Sequence, residues 1–273
     1  VAAIREIPEP EQFLRNEDDQ FTLIIITPSG EKYYLVPYSE ELFPSFLKAL
    51  RVRPGDKGIW WAFRPPSVID SEEKGRNHYD RAIHECIEDR KRQPYMMLNE
   101  KREVVGIISI TDIIRETKFG KLVRRFLSDK LVIELNAEIL KLDVRITKLD
   151  HKLERLVGKL NPHLYLFGKR FTWFGKRLIK CIQLGKSGKF GWVVLNEEHQ
   201  HQGLASAAIA RLEEWGFEGN RFDVLTADIA DKNKKSLRCF ERRNFKREVD
   251  GEPRPGADGE LNTMGFYVKK RAA

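Results

Sequence analysis

The chain has 273 residues, 33% of them charged and 41% hydrophobic, a soluble globular balance with room for one large domain or one domain carrying a sizeable insertion. No apolar run reaches the roughly 18 residues of a membrane span, and no basic stretch followed by an apolar core opens the chain, so neither a spanning helix nor a secretory leader is expected. The net charge of +8 is uneven: residues 114–190 hold 19 Lys+Arg against 7 Asp+Glu, net +12, which leaves −4 for the rest and confines any attraction for polyanions to one internal segment.

In chain order, FTLIII (21–26) and KYYLVP (32–37) read as strands joined by the turn PSGE. Ser39 then precedes a helical pattern with apolar residues at 42, 43, 46, 47 and 50. Residues 53–77, rich in proline and glycine, read as an irregular segment anchored by Trp60 and Trp61, and 78–92 as a helix with Ile83 and Ile87 on one face. PYMMLNEKREVVGIISI (94–110) reads as two strands around the polar turn NEKR. The three cysteines, Cys86, Cys181 and Cys239, form no CxxC or Cys/His cluster, which points to a reducing compartment and a cytoplasmic protein.

From Val132 onward the apolar positions are Val132, Leu135, Ile139, Leu142, Ile146, Leu149, Leu153, Leu156 and Leu160, spaced alternately by 3 and 4. That is a heptad helix over 132–160, with the β-branched residues in one phase and only leucine in the other, a pattern that favours a parallel pair and hence a homodimer. Arg145 and Asp150 fall where two parallel helices pair their charges. The alternative is that the stripe packs on this chain's own segments, for example around 119–127. Residues 161–187 interleave Tyr165, Phe167, Phe171, Trp173 and Phe174 with Lys169, Arg170, Lys176, Arg177 and Lys180. Either this is a surface for nucleic acid, with rings for bases and cations for phosphates, or its aromatics serve a core beneath solvated lysines.

KFGWVVLNEE (189–198) is a strand whose consecutive Val193, Val194 and Leu195 suit a sheet covered on both faces. HQHQGLASAA (199–208) follows, and then a helix with Ala205, Ala208, Ile209, Leu212 and Trp215 at helical spacing. Gly203 permits a positive φ and a close backbone approach. Ala205 and Ser206 keep the first turn thin, so the free N–H groups there suit a phosphate or pyrophosphate. His199 and His201 lie two apart, yet no third ligand stands at a sensible spacing, and no metal site is expected.

Gln200-His201-Gln202-Gly203-Leu204-Ala205 resembles the Q/R-x-x-G-x-G/A motif of the GCN5-related N-acetyltransferases (the GNAT superfamily). Downstream, RFDVLTADI (221–229) is a second buried strand. The segment 231–248 is similar to the family's N-x-x-S/A-x-x-x-x-E-K-x-G-F stretch through Asn233, Ser236, Glu241 and Phe245, in the form of the ribosomal-protein and spermidine acetyltransferase branch. Residues 94–113 resemble that branch's second and third strands, and MGFYVKK (264–270) its last.

The resemblance implies an α/β, GNAT-like acyl-CoA N-acyltransferase fold with a mixed sheet. Residues 1–113 and 189–273 form the domain, interrupted at 114–188 by a helical, basic, coiled-coil-like insertion. It also implies acetyl-CoA as cofactor and acetyl transfer to an amine on a protein or small molecule. The pantetheine arm would pair with backbone at Val194 and Leu195, and the pyrophosphate would rest on 200–206 (Gln200, His201, Gln202, Gly203, Leu204, Ala205, Ser206). Asn233 would bind the pantetheine end.

Many members of the family place a Tyr seven residues after the Asn. Here Phe240 stands there and cannot donate, which leaves Ser236 as the candidate acid. No carboxylate occurs at 189–191, so Asp228 is the candidate base, with Glu198 as an alternative. Asn244 replaces the family's Gly before Phe245 and tolerates the same left-handed turn. The basic insertion suggests an acceptor carried on RNA or the ribosome. The competing reading is a degenerate GNAT-fold scaffold that dimerises through the heptad helix and binds nucleic acid.

Overall fold

The computed structural model describes residues 23–37, 39–45, 77, 93–114, 117–157, 169–170, 172–179, 185–195, 199–218, 221–251, 253–255 and 261–272. The expected helix at 78–92, the Trp60–Trp61 anchor, Tyr165, Phe167, Phe171, Lys180 and Glu198 lie outside them. Two compact units divide the chain, one of residues 1–109 with 192–211, the other of 110–191 with 212–273.

In the first unit, β1 (Leu23–Ile26) pairs antiparallel with β2 (Lys32–Pro37), Leu23 opposite Leu35. Period-2 alternation is clean in β1: Leu23 and Ile25 are buried, Ile24 and Ile26 exposed. The hairpin closes through Gly30 N–H to the Thr27 carbonyl (2.9 Å), with Gly30 at φ +87°. β2 pairs antiparallel with β3 (Gln93–Leu98), and a turn with Arg102 at φ +61° leads into β4 (Val104–Ile114). Four consecutive buried residues, Tyr95 to Leu98, show that β3 is covered on both faces.

In the second unit, the first part of β5 (Ser187–Leu195) pairs parallel with β6 (Val224–Ala230) over Ser187–Phe190 and Val224–Ala227. β10 (Met264–Lys270) lies antiparallel between β6 and β7 (Lys246–Asp250). Between β7 and β10 the chain passes through the short pair β8 (Arg254–Pro255) and β9 (Leu261–Asn262). Helix α1 (Lys118–Arg124) is capped by Thr117, whose hydroxyl accepts from Gly120 N–H at 3.0 Å. It precedes the long helix α2 (Asp129–Val157), which contacts β6, β7 and β10.

The stripe of α2 that meets the strands is Ile133, Ala137, Leu140 and Val144, packed with Val224, Phe266 and Val268. The heptad seam is split between environments. Val132 is buried and Ile146 packs on Gly175, while Leu135, Leu142 and Leu149, one heptad apart, are exposed. Asp150 is used within the chain: it accepts from Thr172 Oγ1 (2.8 Å) and faces Lys176 Nζ (3.2 Å) and Lys169 Nζ (3.3 Å). Burial pushes the Asp150 carboxyl up, but the bonds from Thr172, Lys176 and Lys169 outweigh it and hold the net value below the usual carboxylate range. A depressed folded value means stability that is present above the unfolded pKa near 3.9 and lost as pH falls through the lower folded value. Proteolysis at 169–179 should therefore accelerate on acidification below about pH 4, and Asp150→Asn should show the accelerated rate already at neutral pH.

Helix α3 (Leu204–Phe217) follows β5, and α4 (Lys234–Arg242) follows β6. α4 ends as the sequence suggests: Asn244 takes φ +61°, Phe245 N–H reaches the Phe240 carbonyl (3.1 Å), and Asn244 N–H reaches Glu241 (2.9 Å). Phe240 is 4% exposed, edge-on to Phe190 and Phe245 at centroid distances of 5.4 and 5.0 Å. The ring that replaces the family's tyrosine is thus spent on packing.

Candidate active site

The turn between β5 and α3 is built from two left-handed residues, His201 (φ +66°) and Gly203 (φ +82°). Gly203 caps the helix: its carbonyl accepts from Ala207 N–H at 2.9 Å, so the N–H groups of Leu204, Ala205 and Ser206 precede the first intrahelical bond. No acid stands in that first turn to compete for them. A Cβ on Gly203 would lie 3.0 Å from Pro28 Cδ and 3.2 Å from Pro28 Cγ. The dihedral favours glycine, and any side chain would also crowd the proline ring. A thin, donor-rich helix start is a fit for a pyrophosphate and needs no imidazole.

His199 has a structural occupation. Its ring stands edge-on to Tyr33 (5.8 Å, 89°), with Nδ1 3.1 Å from the Tyr33 hydroxyl. His201 is exposed, and no group of three or more His, Cys, Asp or Glu able to hold a metal occurs among the described residues. Val194 and Leu195 lie in the extended backbone of β5.

In the second unit, Asn233 is the N-cap of α4, its Oδ1 accepting from Ser236 N–H at 3.1 Å. This cap uses the amide oxygen, and the two side chains share the first turn of the helix. Asp228 faces α2 from β6, with Oδ2 2.9 Å from Lys189 Nζ on β5. The pair borders a cavity of about 190 Å³, which Asp143 and Thr147 of α2 also line together with Ser187 and Thr226. Ser187 is 2% exposed, and its hydroxyl has no hydrogen-bond partner. Lys189, Asp143 and Thr147 were not singled out by sequence. No local signal marks Lys189: it comes beside Asp228 only through the parallel register of β5 and β6, in which it stands opposite Thr226.

Residues 168–245 match the model of the acetyltransferase (GNAT) family. Within those residues the chain is similar to the GNAT acetyltransferases. That match runs from residue 168 through β5, the turn, α3, β6 and α4, so the matching residues of both GNAT motifs lie within it. Solved structures share the fold at low identity. RimL, a ribosomal L7/L12 α-N-protein acetyltransferase in complex with coenzyme A, is 13% identical with TM-score 0.55, covering 91% of this chain and 98% of that one. RimJ of Mycobacterium smegmatis, in complex with CoA-disulfide, is 11% identical with TM-score 0.57, covering 91% and 86%. The spermidine N-acetyltransferase of Vibrio cholerae, in complex with CoA and spermine, is 11% identical with TM-score 0.50, covering 88% and 95%. None of the curated proteins compared matches the chain. Acetyl-CoA is the cosubstrate of that family, and the Gly203 turn has the thin, donor-rich form that suits the pyrophosphate of that molecule. No helix among the described residues is long and apolar enough to cross a membrane.

Proposed function

We propose that this GNAT acetyltransferase acts on a primary amine presented by a protein N-terminus in an RNA- or ribosome-associated setting. Acetyl-CoA, when bound, supplies an activated acyl thioester. The observation that carries cofactor binding is the Gly203 turn, with the N–H groups of Leu204, Ala205 and Ser206 standing before the first intrahelical bond of α3. Backbone at Val194 and Leu195 and the Asn233 side chain are assigned to the pantetheine arm on the strength of the family motif.

An amine attacks only when neutral, so its proton must leave. Asp228 is the proposed acceptor of that proton, directly or through water, because it borders a cavity rather than solid core. Lys189 holds the carboxylate in place. Ser236 Oγ is the proposed donor to the leaving sulfur, since Phe240 has nothing to give. Ser236→Ala should lower kcat by roughly 10²-fold, the lower end of general acid–base contributions, with the KM for acetyl-CoA little changed. An unchanged kcat would remove Ser236 from the mechanism.

The acceptor class rests on the internal basic segment. Phe126, Trp173 and Phe174 are 80%, 58% and 60% exposed, and the Arg177 guanidinium lies 5.1 Å over the Trp173 ring. Exposed rings beside cations suit stacked bases and phosphates. RNA binding that weakens steeply with salt in the wild type and is lost in Trp173→Ala/Arg177→Ala would support this acceptor class. Equal binding by the variant would sink it. The exposed leucines 135, 142 and 149 support self-association through α2 into a homodimer, and light scattering of a Leu142→Glu variant checks it: a wild type already monomeric rejects it.

A further inference from the structure

The pyrophosphate turn rests on a residue outside its own motif. Tyr33, buried on β2, brings its hydroxyl to 3.1 Å from His199 Nδ1, donates toward Gln202 Oε1 at 3.2 Å, and donates toward Glu31 Oε2 at 3.3 Å. A phenol has one proton and two lone pairs, so that proton serves Glu31 or Gln202 while the oxygen remains able to accept from His199. Burial first, and then the Glu31 carboxylate, push the Tyr33 phenol above its ordinary value, so the hydroxyl stays protonated through the neutral range.

The support beneath it is stiff. Thr27 is 3% exposed, with its Oγ1 2.8 Å from Ser29 Oγ and accepting from Glu31 N–H at 3.2 Å. Pro28, between them, abuts Gly203. The tip of the β1–β2 hairpin therefore touches the turn twice, by the proline ring under Gly203 and by the phenol between His199 and Gln202. We infer that Tyr33 is a positioning residue for the cofactor's pyrophosphate. It fixes the turn over His199–Gly203 in the left-handed form that leaves the N–H groups of Leu204, Ala205 and Ser206 facing outward from the helix start. The inference rests on the pyrophosphate reading above.

Tyr33→Phe keeps the ring and its packing and removes only the hydroxyl. Calorimetry should show CoA binding weakened by about five- to tenfold, the cost of roughly one hydrogen bond carried by the competent turn. Pantetheine, which lacks the pyrophosphate and nucleotide, should bind wild type and variant equally well. In the absence of any ligand, amide exchange at Gly203–Ser206 should be faster in the variant. Gln202→Met removes a turn-side partner and leaves the β2 core intact; it should show the same CoA-specific loss, and the double variant should be no weaker than the weaker single. A wild type that binds pantetheine as tightly as CoA overturns the pyrophosphate reading, and Tyr33's role with it. A wild type that prefers CoA, with Tyr33→Phe preferring it equally, overturns Tyr33's role alone.

Discussion

Gly203→Val is expected to weaken CoA binding by about 5- to 30-fold while the protein still folds. A side chain in the left-handed region costs roughly 1–2 kcal/mol, which is that range of fold-change if the cost falls on the binding-competent turn. Here the dihedral is φ +82°, and the new Cβ would also meet the Pro28 ring at 3.0 Å. The turn can escape both only by leaving the conformation that makes Gly203 the helix cap. The melting temperature should fall by only a few degrees, on the order of 2–4 °C per kcal/mol for a chain of this size. His201→Gly provides the opposite sign. His201 is also left-handed, at φ +66°, but it is exposed. Removing its side chain relieves strain and leaves the backbone donors where they are. CoA affinity should hold or improve slightly; a collapse of binding in His201→Gly would show that the imidazole, and not the backbone, holds the anion.

That contrast marks what the sequence makes legible. The strand–turn–helix at 187–217 and the hairpin around NEKR announce themselves through consecutive apolar residues, a turn tetrapeptide and one glycine, all local signals. The phase of α2 is different. Spacing by 3 and 4 identifies a helix, but the leucines that define the seam most cleanly, 135, 142 and 149, face solvent. The face that meets the sheet runs one residue later and includes Asn136, Ala137 and Lys141, which no hydropathy pattern selects. Lys141 is tolerated there because Glu138 and Glu248 pair with it at 2.8 and 2.7 Å. Glu248 belongs to β7, far along the chain, so the compensation is invisible locally. Tyr33 is the same case at the site: its partner His199 is 166 residues away. Asp228 was recognisable as a carboxylate near the end of a buried strand, whereas its pairing with Lys189 depends on the parallel register of β5 and β6.

Asp223→Ala should be the most destabilising single substitution in the second unit. Asp223 is 1% exposed and stands just before β6. It accepts from Arg124 Nη2 of α1 (2.7 Å), from Arg271 Nη2 beyond β10 (3.2 Å) and from Lys186 N–H before β5 (2.8 Å). Gly185 is pressed against it, since a Cβ there would lie 2.6 Å from Oδ2. Removing the carboxylate leaves two guanidiniums and one amide facing a gap, and breaking a buried pair in this way costs about 3–5 kcal/mol, a large part of the roughly 5–15 kcal/mol that holds a domain folded. Arg124→Met should cost less, because Asp223 keeps Arg271 and Lys186 N–H and the Arg124 side chain is already 25% exposed. The network also fixes how the basic segment can be probed. Arg124 and Lys186 lie near its two ends, so excising 114–187 would strip Asp223 of two of its three donors and confound a loss of RNA binding with a loss of fold. Point substitutions at Trp173 and Arg177 avoid this. Urea unfolding should show the midpoint falling in the order wild type, Arg124→Met, Asp223→Ala; an Asp223→Ala midpoint equal to wild type would mean that the two arginines are held by something other than this carboxylate.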